Sequence, residues 1–155
     1  MSKPTRIWTE IDYEKSGKQS GYLMLPHSVT RSAYGMIAIP IAVIKNGSGP
    51  TAFLMAGNHG DEYEGQIALC KLIRAIDPAR VQGRVIVMPA ANFPAATAGV
   101  RVSPIDGGNL NRCFPGDPDR GVTQEIAHYI DSVLFPMADL FADLHSGGAS
   151  LAYLP

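Results

Sequence analysis

The stretch TAFLMAGNHGDEYEGQIALCKLIRAIDP, residues 51–78, predicts a buried strand, a turn and a helix in succession. Its first part, TAFLMA (51–56), is a short apolar run of the kind that buried strands show. From Glu62 to Ile76 the apolar residues recur at helical spacing and form one stripe. Asp61 followed by Glu64 indicates the start of this helix, in the manner of a capping box.

The sequence on either side of this stretch predicts more strands and a second helix. Further strand-like runs are GYLMLP (21–26), GMIAIPIAVI (35–44), RVIVM (84–88) and ADLFADL (138–144). Pro40 indicates that its strand is an edge strand or carries a bulge. Thr123 is placed to cap a helix that runs to Leu134. This alternation of strands and helices is typical of an α/β fold with parallel strands.

Composition narrows the class of protein. A chain of 155 residues with 46% hydrophobic residues predicts one globular domain. A net charge of -1 argues against an electrostatic nucleic-acid binder or a polybasic membrane-surface protein. The longest apolar run, Met36 to Ile44, is too short to span a bilayer. We therefore expect a soluble, cytoplasmic protein, with residues 1–20 as a loosely held polar lead-in.

A first polar cluster, GNHGDE (57–62), follows the strand-like run that ends at Ala56. Sites of parallel sheets form at the carboxyl ends of strands, and a turn there can aim His59 and Glu62 at one point. Imidazole nitrogen and carboxylate oxygen are both good zinc ligands. Taken alone, the same pattern also fits a solvated helix start.

A second cluster, DLHSGG (143–148), follows the last predicted strand. On a strand, Asp143 and His145 point to the same face, and an acid beside a metal-binding histidine commonly orients it. Asp143 could equally orient His59 across the site. A lone histidine at a strand end is more often structural, but two histidines and Glu62 supply the three protein ligands of an open catalytic zinc site.

A third cluster lies in residues 89–121, a long stretch rich in Pro, Gly and Asn without periodic segments. Long loops of this kind in compact domains are usually functional. The polar residues of this cluster are Arg101, Asp106, Asn109, Asn111 and Arg112. They could bind a carboxylate, with arginine as a two-pronged donor, or belong to a surface loop whose asparagines serve turns. Spacing alone leaves both open.

Three motifs together resemble a known family. GNHGDE (57–62), NFPAATAGVRVSPIDGGNLNRCFPG (92–116) and DLHSGG (143–148) occur in the order found in the succinylglutamate desuccinylase and aspartoacylase family, which belongs with the zinc carboxypeptidases. The resemblance covers roughly residues 35 to 150. It implies a zinc-carboxypeptidase-like α/β fold with a mixed, largely parallel sheet flanked by helices. GNHGDEYEGQIAL with SPIDGGNLNR is most similar to deacetylases of N-acetyl-2,4-diaminobutyrate in ectoine breakdown.

The resemblance also implies roles for single residues. His59, Glu62 and His145 match the ligands of one zinc ion per chain. Asn111 and Arg112 match the pair that holds the substrate's carboxylate. Arg101 matches the arginine that steadies the carbonyl oxygen as it becomes an oxyanion, and Asp143 is expected beside the metal ligands.

The general base of the family is a glutamate on a later strand, and no acid here lies in that motif. Glu64 is expected to face solvent. We therefore expect residues 1–155 to be the N-terminal part of a zinc-peptidase-like catalytic domain that binds metal poorly and turns over little substrate by itself.

The leading hypothesis is a zinc amidohydrolase that removes an acyl group from N-acetyl-2,4-diaminobutyrate. Succinylglutamate desuccinylase, aspartoacylase and metallocarboxypeptidase activities are the alternatives on the same scaffold. A non-catalytic module that binds carboxylates through Asn111 and Arg112 is the alternative of another class. The expected partner is a small molecule, not nucleic acid or membrane, and a homo-oligomer is left open.

Overall fold

A six-stranded sheet forms the centre of the computed structural model, which describes residues 3–153. The strands are β1 (Trp8–Thr9), β2 (Gly17–Pro26), β3 (Met36–Asn46), β4 (Thr51–Ala56), β5 (Gly83–Met88) and β6 (Leu140–Leu144). Their order in the sheet is β1-β2-β3-β5-β4-β6. Each strand-like run of the sequence is thus confirmed as a strand, with ends shifted by a few residues.

The sheet is mixed, as predicted. β4 pairs in parallel with both β5 and β6. The other pairs, β1 with β2, β2 with β3 and β3 with β5, are antiparallel. Parallel pairing is therefore confined to three strands, a smaller share than a largely parallel sheet implies. Pro40 lies opposite Tyr22 of β2, but β5 pairs only with Ala42 to Asn46. The side of β3 that faces β5 is therefore unpaired at Pro40, so the backbone N–H that proline lacks is not needed for a hydrogen bond to β5.

Within residues 3–153, three α-helices accompany the sheet: α1 (Tyr63–Ala75), α2 (Phe93–Ala98) and α3 (Val122–Tyr129). A π-helical segment, Ile130–Leu134, continues α3 to the predicted end of that helix. α2 was not predicted, because six residues are too few to show a periodic pattern. It begins where the Asn92 side chain accepts a hydrogen bond from the Ala95 backbone and ends at Gly99, whose φ is 65°.

Apolar side chains on both faces of the sheet form the core. The layer on the α3 side contains Leu23, Ile39, Phe53, Ile86, Ile126 and Ile130. The layer on the α1 side contains Ala42, Ile44, Ala56, Leu69 and Val87. The apolar stripe of α1 thus faces the sheet as predicted, and helices on the two faces leave the strand ends to carry the polar clusters.

The first twenty residues differ from the expected loose lead-in, as far as residues 3–20 are described. They contribute β1 and the start of β2, and Ile7 is buried in the core. Arg6 Nε donates a hydrogen bond of 3.0 Å to the carboxylate of Glu125, which is itself buried. The polar composition of this segment did not indicate its order, because side chains such as that of Arg6 pair with partners more than one hundred residues away. No helix among residues 3–153 is long and apolar enough to cross a membrane.

Candidate metal centre

The two histidine motifs meet because β4 and β6 are parallel neighbours. Ala56, the last residue of β4, lies opposite Leu144, the last residue of β6. His59 and His145 therefore leave the sheet at the same edge, where sites of parallel sheets form. The turn after β4 also places Glu62 directly before α1.

His59, Glu62 and His145 form a compact cluster whose possible ligand atoms all lie within 4.8 Å of one another. Nδ1 of His59 lies 2.7 Å from one oxygen of Glu62, and Nδ1 of His145 lies 2.8 Å from the other. His59 and Glu62 are buried, whereas the side chain of His145 is 35% exposed. The structure thus brings the three predicted residues together, with one side open to solvent.

Nε2, the outer ring nitrogen of each histidine that does not face Glu62, has its own hydrogen-bond partner. Nε2 of His145 donates to Asp143 Oδ2 at 2.8 Å, and Asn58 Nδ2 donates to the same oxygen at 3.0 Å. Asp143 thus contacts His145, and the alternative contact with His59 is not the one found. Nε2 of His59 lies 3.2 Å from Asn109 Oδ1. No sequence pattern indicates a role for Asn58, and Asn109 is placed among the loop residues that could bind a carboxylate or serve a turn, so neither contact is predicted.

The charges of the cluster favour a cation. Burial alone would raise the pKa of Glu62, but hydrogen bonds from the Ser146 backbone and from His145 and His59 lower it below the ordinary value. Burial likewise would lower the pKa of His145, but Asp143 and Glu62 raise it above the ordinary value. Glu62 is therefore ionised at neutral pH, which is the state that a metal ligand needs.

The donor set fits zinc. Nδ1 of each histidine faces an oxygen of Glu62, at 2.7 Å for His59 and 2.8 Å for His145, so the three side chains direct their possible ligand atoms at one another. Two imidazole nitrogens and one carboxylate, with a solvent-exposed side, are typical of catalytic zinc sites. His59, Glu62 and His145 are therefore the residues that could hold such an ion.

Arg101 reaches the cluster, and Asn111 and Arg112 lie at its exposed margin. Nη1 of Arg101 lies 3.3 Å from Glu62 Oε1, and its side chain is 56% exposed. Asn111 and Arg112 lie on a 3-10 turn, Leu110–Arg112, with both side chains exposed. Arg112 Nη1 donates to the Asn111 carbonyl at 3.2 Å. The amide of Asn109 connects this turn to His59.

Asp106 fixes the loop that carries these side chains. Its carboxylate accepts hydrogen bonds from the backbone (2.8 Å) and the hydroxyl (2.7 Å) of Thr123 and from the Gly108 backbone (3.2 Å). Thr123 lies in the first turn of α3, where a negative charge is favourable. Gly108 packs so closely that a Cβ atom there would lie 2.4 Å from the Thr123 side chain.

We expect Asp106→Asn to destabilise the chain at neutral pH but less so in acid. Burial would raise the pKa of Asp106, but the hydrogen bonds from Thr123, Ser103 and Gly108 outweigh it and lower the pKa. The charged form therefore stabilises the fold above the unfolded pKa of about 3.9, and this contribution is lost as pH falls through the lower folded pKa. Urea unfolding from pH 7 to 2.5 measures the difference between the two proteins, and a gap that stays constant over this range would contradict the assignment.

Comparison with known proteins places the chain in a family. The sequence model of the succinylglutamate desuccinylase/aspartoacylase catalytic domain matches residues 48–155. That span is more than half of the chain and includes all three motifs. The chain therefore belongs to this family.

Individual relatives show which proteins of this family the chain resembles. The chain is 55% identical over 155 residues to the N-alpha-acetyl-L-2,4-diaminobutyric acid deacetylase of Halomonas elongata, of which it spans 45%. It also resembles the product-bound structure of an ectoine utilization protein from Ruegeria pomeroyi, with a TM-score of 0.91 and 52% identity over 94% of this chain and 44% of that one. A succinylglutamate desuccinylase from Silicibacter sp. TM1040 gives a TM-score of 0.92 and 51% identity over the same shares. The chain thus spans slightly less than half the length of these relatives.

Proposed function

We propose that this chain is part of a zinc-dependent hydrolase that removes the acetyl group from N-acetyl-2,4-diaminobutyrate. The convergence of His59, Glu62 and His145 at one strand end carries the proposal. The 55% identity to a deacetylase of this substrate supports the choice among acylated amino acids.

His59, Glu62 and His145 would hold one zinc ion, in keeping with the burial of the first two and the ionised state of the carboxylate. When bound, zinc polarises a carbonyl group and makes water more acidic. Asp143 keeps the imidazole of His145 oriented through its outer nitrogen, which leaves Nδ1 directed at the centre of the cluster.

Arg101, Asn111 and Arg112 would bind the substrate. The guanidinium of Arg101 lies next to Glu62 and remains largely exposed, so it can donate to a carbonyl oxygen that gains negative charge during the reaction. Asn111 and Arg112 present their exposed side chains together from one short turn. A guanidinium beside an amide suits a planar carboxylate because it offers two parallel donors.

The contacts of Glu62 and Asp143 lead us to propose that residues 1–155 alone turn over little substrate. Glu62 already contacts both histidines, and Asp143 is held by Asn58 and His145. Neither carboxylate is available to carry a proton between water and a leaving amine. A cytoplasmic location and assembly into a homo-oligomer stay predictions.

Calorimetric titration of the zinc-loaded chain with candidate substrates tests the proposal that it binds N-acetyl-2,4-diaminobutyrate. N-acetyl-2,4-diaminobutyrate is expected to bind more tightly than N-acetylaspartate, N-succinylglutamate or a blocked dipeptide. Arg112→Leu should weaken binding by about tenfold or more, since a hydrogen bond to a charged group contributes about 1.5–3 kcal/mol. Tightest binding of the dipeptide would favour a metallocarboxypeptidase instead. Equal affinity with and without zinc would favour a carboxylate-binding module that needs no metal.

A further inference from the structure

We propose that Glu64 selects the acyl group of the substrate, because its carboxylate gives one side of the metal cluster a negative charge. An uncharged acyl group such as acetyl is accepted on that side, whereas an acyl group that ends in a carboxylate, such as succinyl, is repelled. The inference rests on the proposed function and deepens it, since it names the residue that separates a deacetylase from a desuccinylase.

The two carboxylate oxygens of Glu62 divide the cluster into two sides. Oε1 lies 2.7 Å from Nδ1 of His59 and 3.3 Å from Nη1 of Arg101. Oε2 lies 2.8 Å from Nδ1 of His145 and accepts a hydrogen bond of 3.1 Å from the Ser146 backbone. We call these the His59 side and the His145 side of the cluster.

The His59 side carries positive charge. Arg101 lies on this side, and Nε2 of His59 contacts the amide of Asn109. Asn109 directly precedes the Leu110–Arg112 turn, so the exposed guanidinium of Arg112 belongs to the same side. The substrate's carboxylate, which we assign to this turn, therefore lies on the His59 side.

The His145 side carries negative charge. Ser146, which follows His145, donates its hydroxyl to the exposed carboxylate of Glu64, while its backbone N–H bonds the cluster. Asp61 lies on this side too, since it accepts a hydrogen bond of 3.1 Å from the Ala149 backbone. In the part of the chain that the structure describes, neither carboxylate forms an ion pair with a lysine or an arginine. Their charge is thus not neutralised by a basic side chain.

The connectivity of an N-acylated amino acid places its acyl group on the His145 side. The carboxylate is attached through the α-carbon to the amide nitrogen, whereas the acyl chain continues from the carbonyl carbon. With the carboxylate at Arg112 and the carbonyl oxygen at Arg101, the acyl chain extends away from Arg112. It therefore points towards Glu64.

The end of the acyl chain then decides the interaction with Glu64. An acetyl group ends in an uncharged methyl group, but a succinyl group brings a second carboxylate to a side that is already negative. Repulsion between like charges at a partly exposed site is large enough to change an affinity by about tenfold. Glu64 thus favours acetyl over succinyl without contacting the metal itself.

Two zinc-chelating probes with acyl chains of equal length test this selection. The chain of butyrohydroxamate ends in a methyl group, and that of the monohydroxamate of succinic acid ends in a carboxylate. In calorimetric titration of the zinc-loaded chain, we expect the uncharged probe to bind about tenfold more tightly. Glu64→Gln should reduce this preference to about threefold or less, and Glu64→Lys should abolish or reverse it.

Glu10→Gln is the matched control. It also removes one negative charge from an exposed glutamate, but Glu10 follows β1, at the far end of the strand order from β6. This variant should keep the full preference for the uncharged probe. Because Glu64 is exposed, its variants are expected to fold, which circular dichroism checks.

The outcomes separate this inference from the proposed function. A chain that binds no zinc, or whose zinc binds neither probe, contradicts the proposed function and the inference with it. If zinc and both probes bind but Glu64→Gln leaves their affinity ratio unchanged, the role of Glu64 is overturned and the zinc site stands. Tighter binding of the succinyl probe by the unsubstituted chain would also overturn it, and would favour a desuccinylase.

Discussion

Replacement of His59 or His145 by alanine is expected to remove almost all of the zinc that the unsubstituted chain binds, at most one ion per chain. Each histidine is one of the three proposed ligands, and their possible ligand atoms come from two separate strand ends. Loss of either imidazole leaves too few protein ligands for a stable zinc site. Metal content by mass spectrometry after dialysis against a weak chelator measures the effect.

His27→Ala is the matched control for these variants. His27 lies just after β2 and is not among the residues of the cluster. The same change of side chain there should leave zinc bound. Zinc that persists in both the His59 and the His145 variants would show that the ion binds elsewhere, and the proposed convergence of the two motifs would be wrong.

Gly60→Ala is expected to cause the largest loss of stability among the single substitutions. A Cβ atom at Gly60 would lie 2.1 Å from the backbone carbon of Ala95 in α2. Backbone cannot move aside as a flexible side chain does, so the turn after β4 and α2 must separate. Overpacking of this kind costs about 3 kcal/mol. For a chain of this size the midpoint of thermal unfolding should fall by roughly 10 °C.

The same substitution should weaken zinc binding, because Gly60 follows His59 directly in the turn. Gly47→Ala is the control for the effect of backbone conformation alone. Gly47 has a φ of 63°, but nothing lies within 4 Å of its added Cβ atom. Gly47→Ala should lower the free energy of unfolding by only about 1–2 kcal/mol and leave the zinc affinity unchanged. Calorimetry that finds Gly60→Ala as stable as the original chain would contradict the close packing of the turn on α2.

Much of the fold and the centre of the site follow from local sequence patterns. Apolar runs such as TAFLMA (51–56) stand out because buried strands need apolar side chains on both faces. The α1 stripe is visible because helical spacing repeats over its 13 residues. The cluster of His59, Glu62 and His145 could be predicted because carboxyl ends of parallel strands meet at one edge.

Contacts between distant residues could not be predicted in this way. Asp61 and Thr123 were both expected to cap helices, yet neither holds the cap position. Asp61 accepts a hydrogen bond of 3.1 Å from the Ala149 backbone, and the Thr123 hydroxyl donates to Asp106. These partners lie 88 and 17 residues away, so a pattern read over one helical turn carries no sign of them.

The roles of Asn58 and Asn109 escaped prediction for a related reason. Asparagine is common in turns, and its spacing does not show which donor its oxygen meets. Only the fold brings Asn109 within 3.2 Å of His59, 50 residues away. Asn58 contacts Asp143 across β4 and β6 in the same way.

Anomalous diffraction at the zinc edge from crystals of the zinc-loaded chain would locate the bound metal ion. One strong peak is predicted between the Nδ1 atoms of His59 and His145 and the carboxylate of Glu62. Its distances to the two nitrogens should be about 2.0–2.1 Å. A peak at any other group of residues, or crystals soaked in zinc that show no peak at this cluster, would rule out His59, Glu62 and His145 as the zinc ligands.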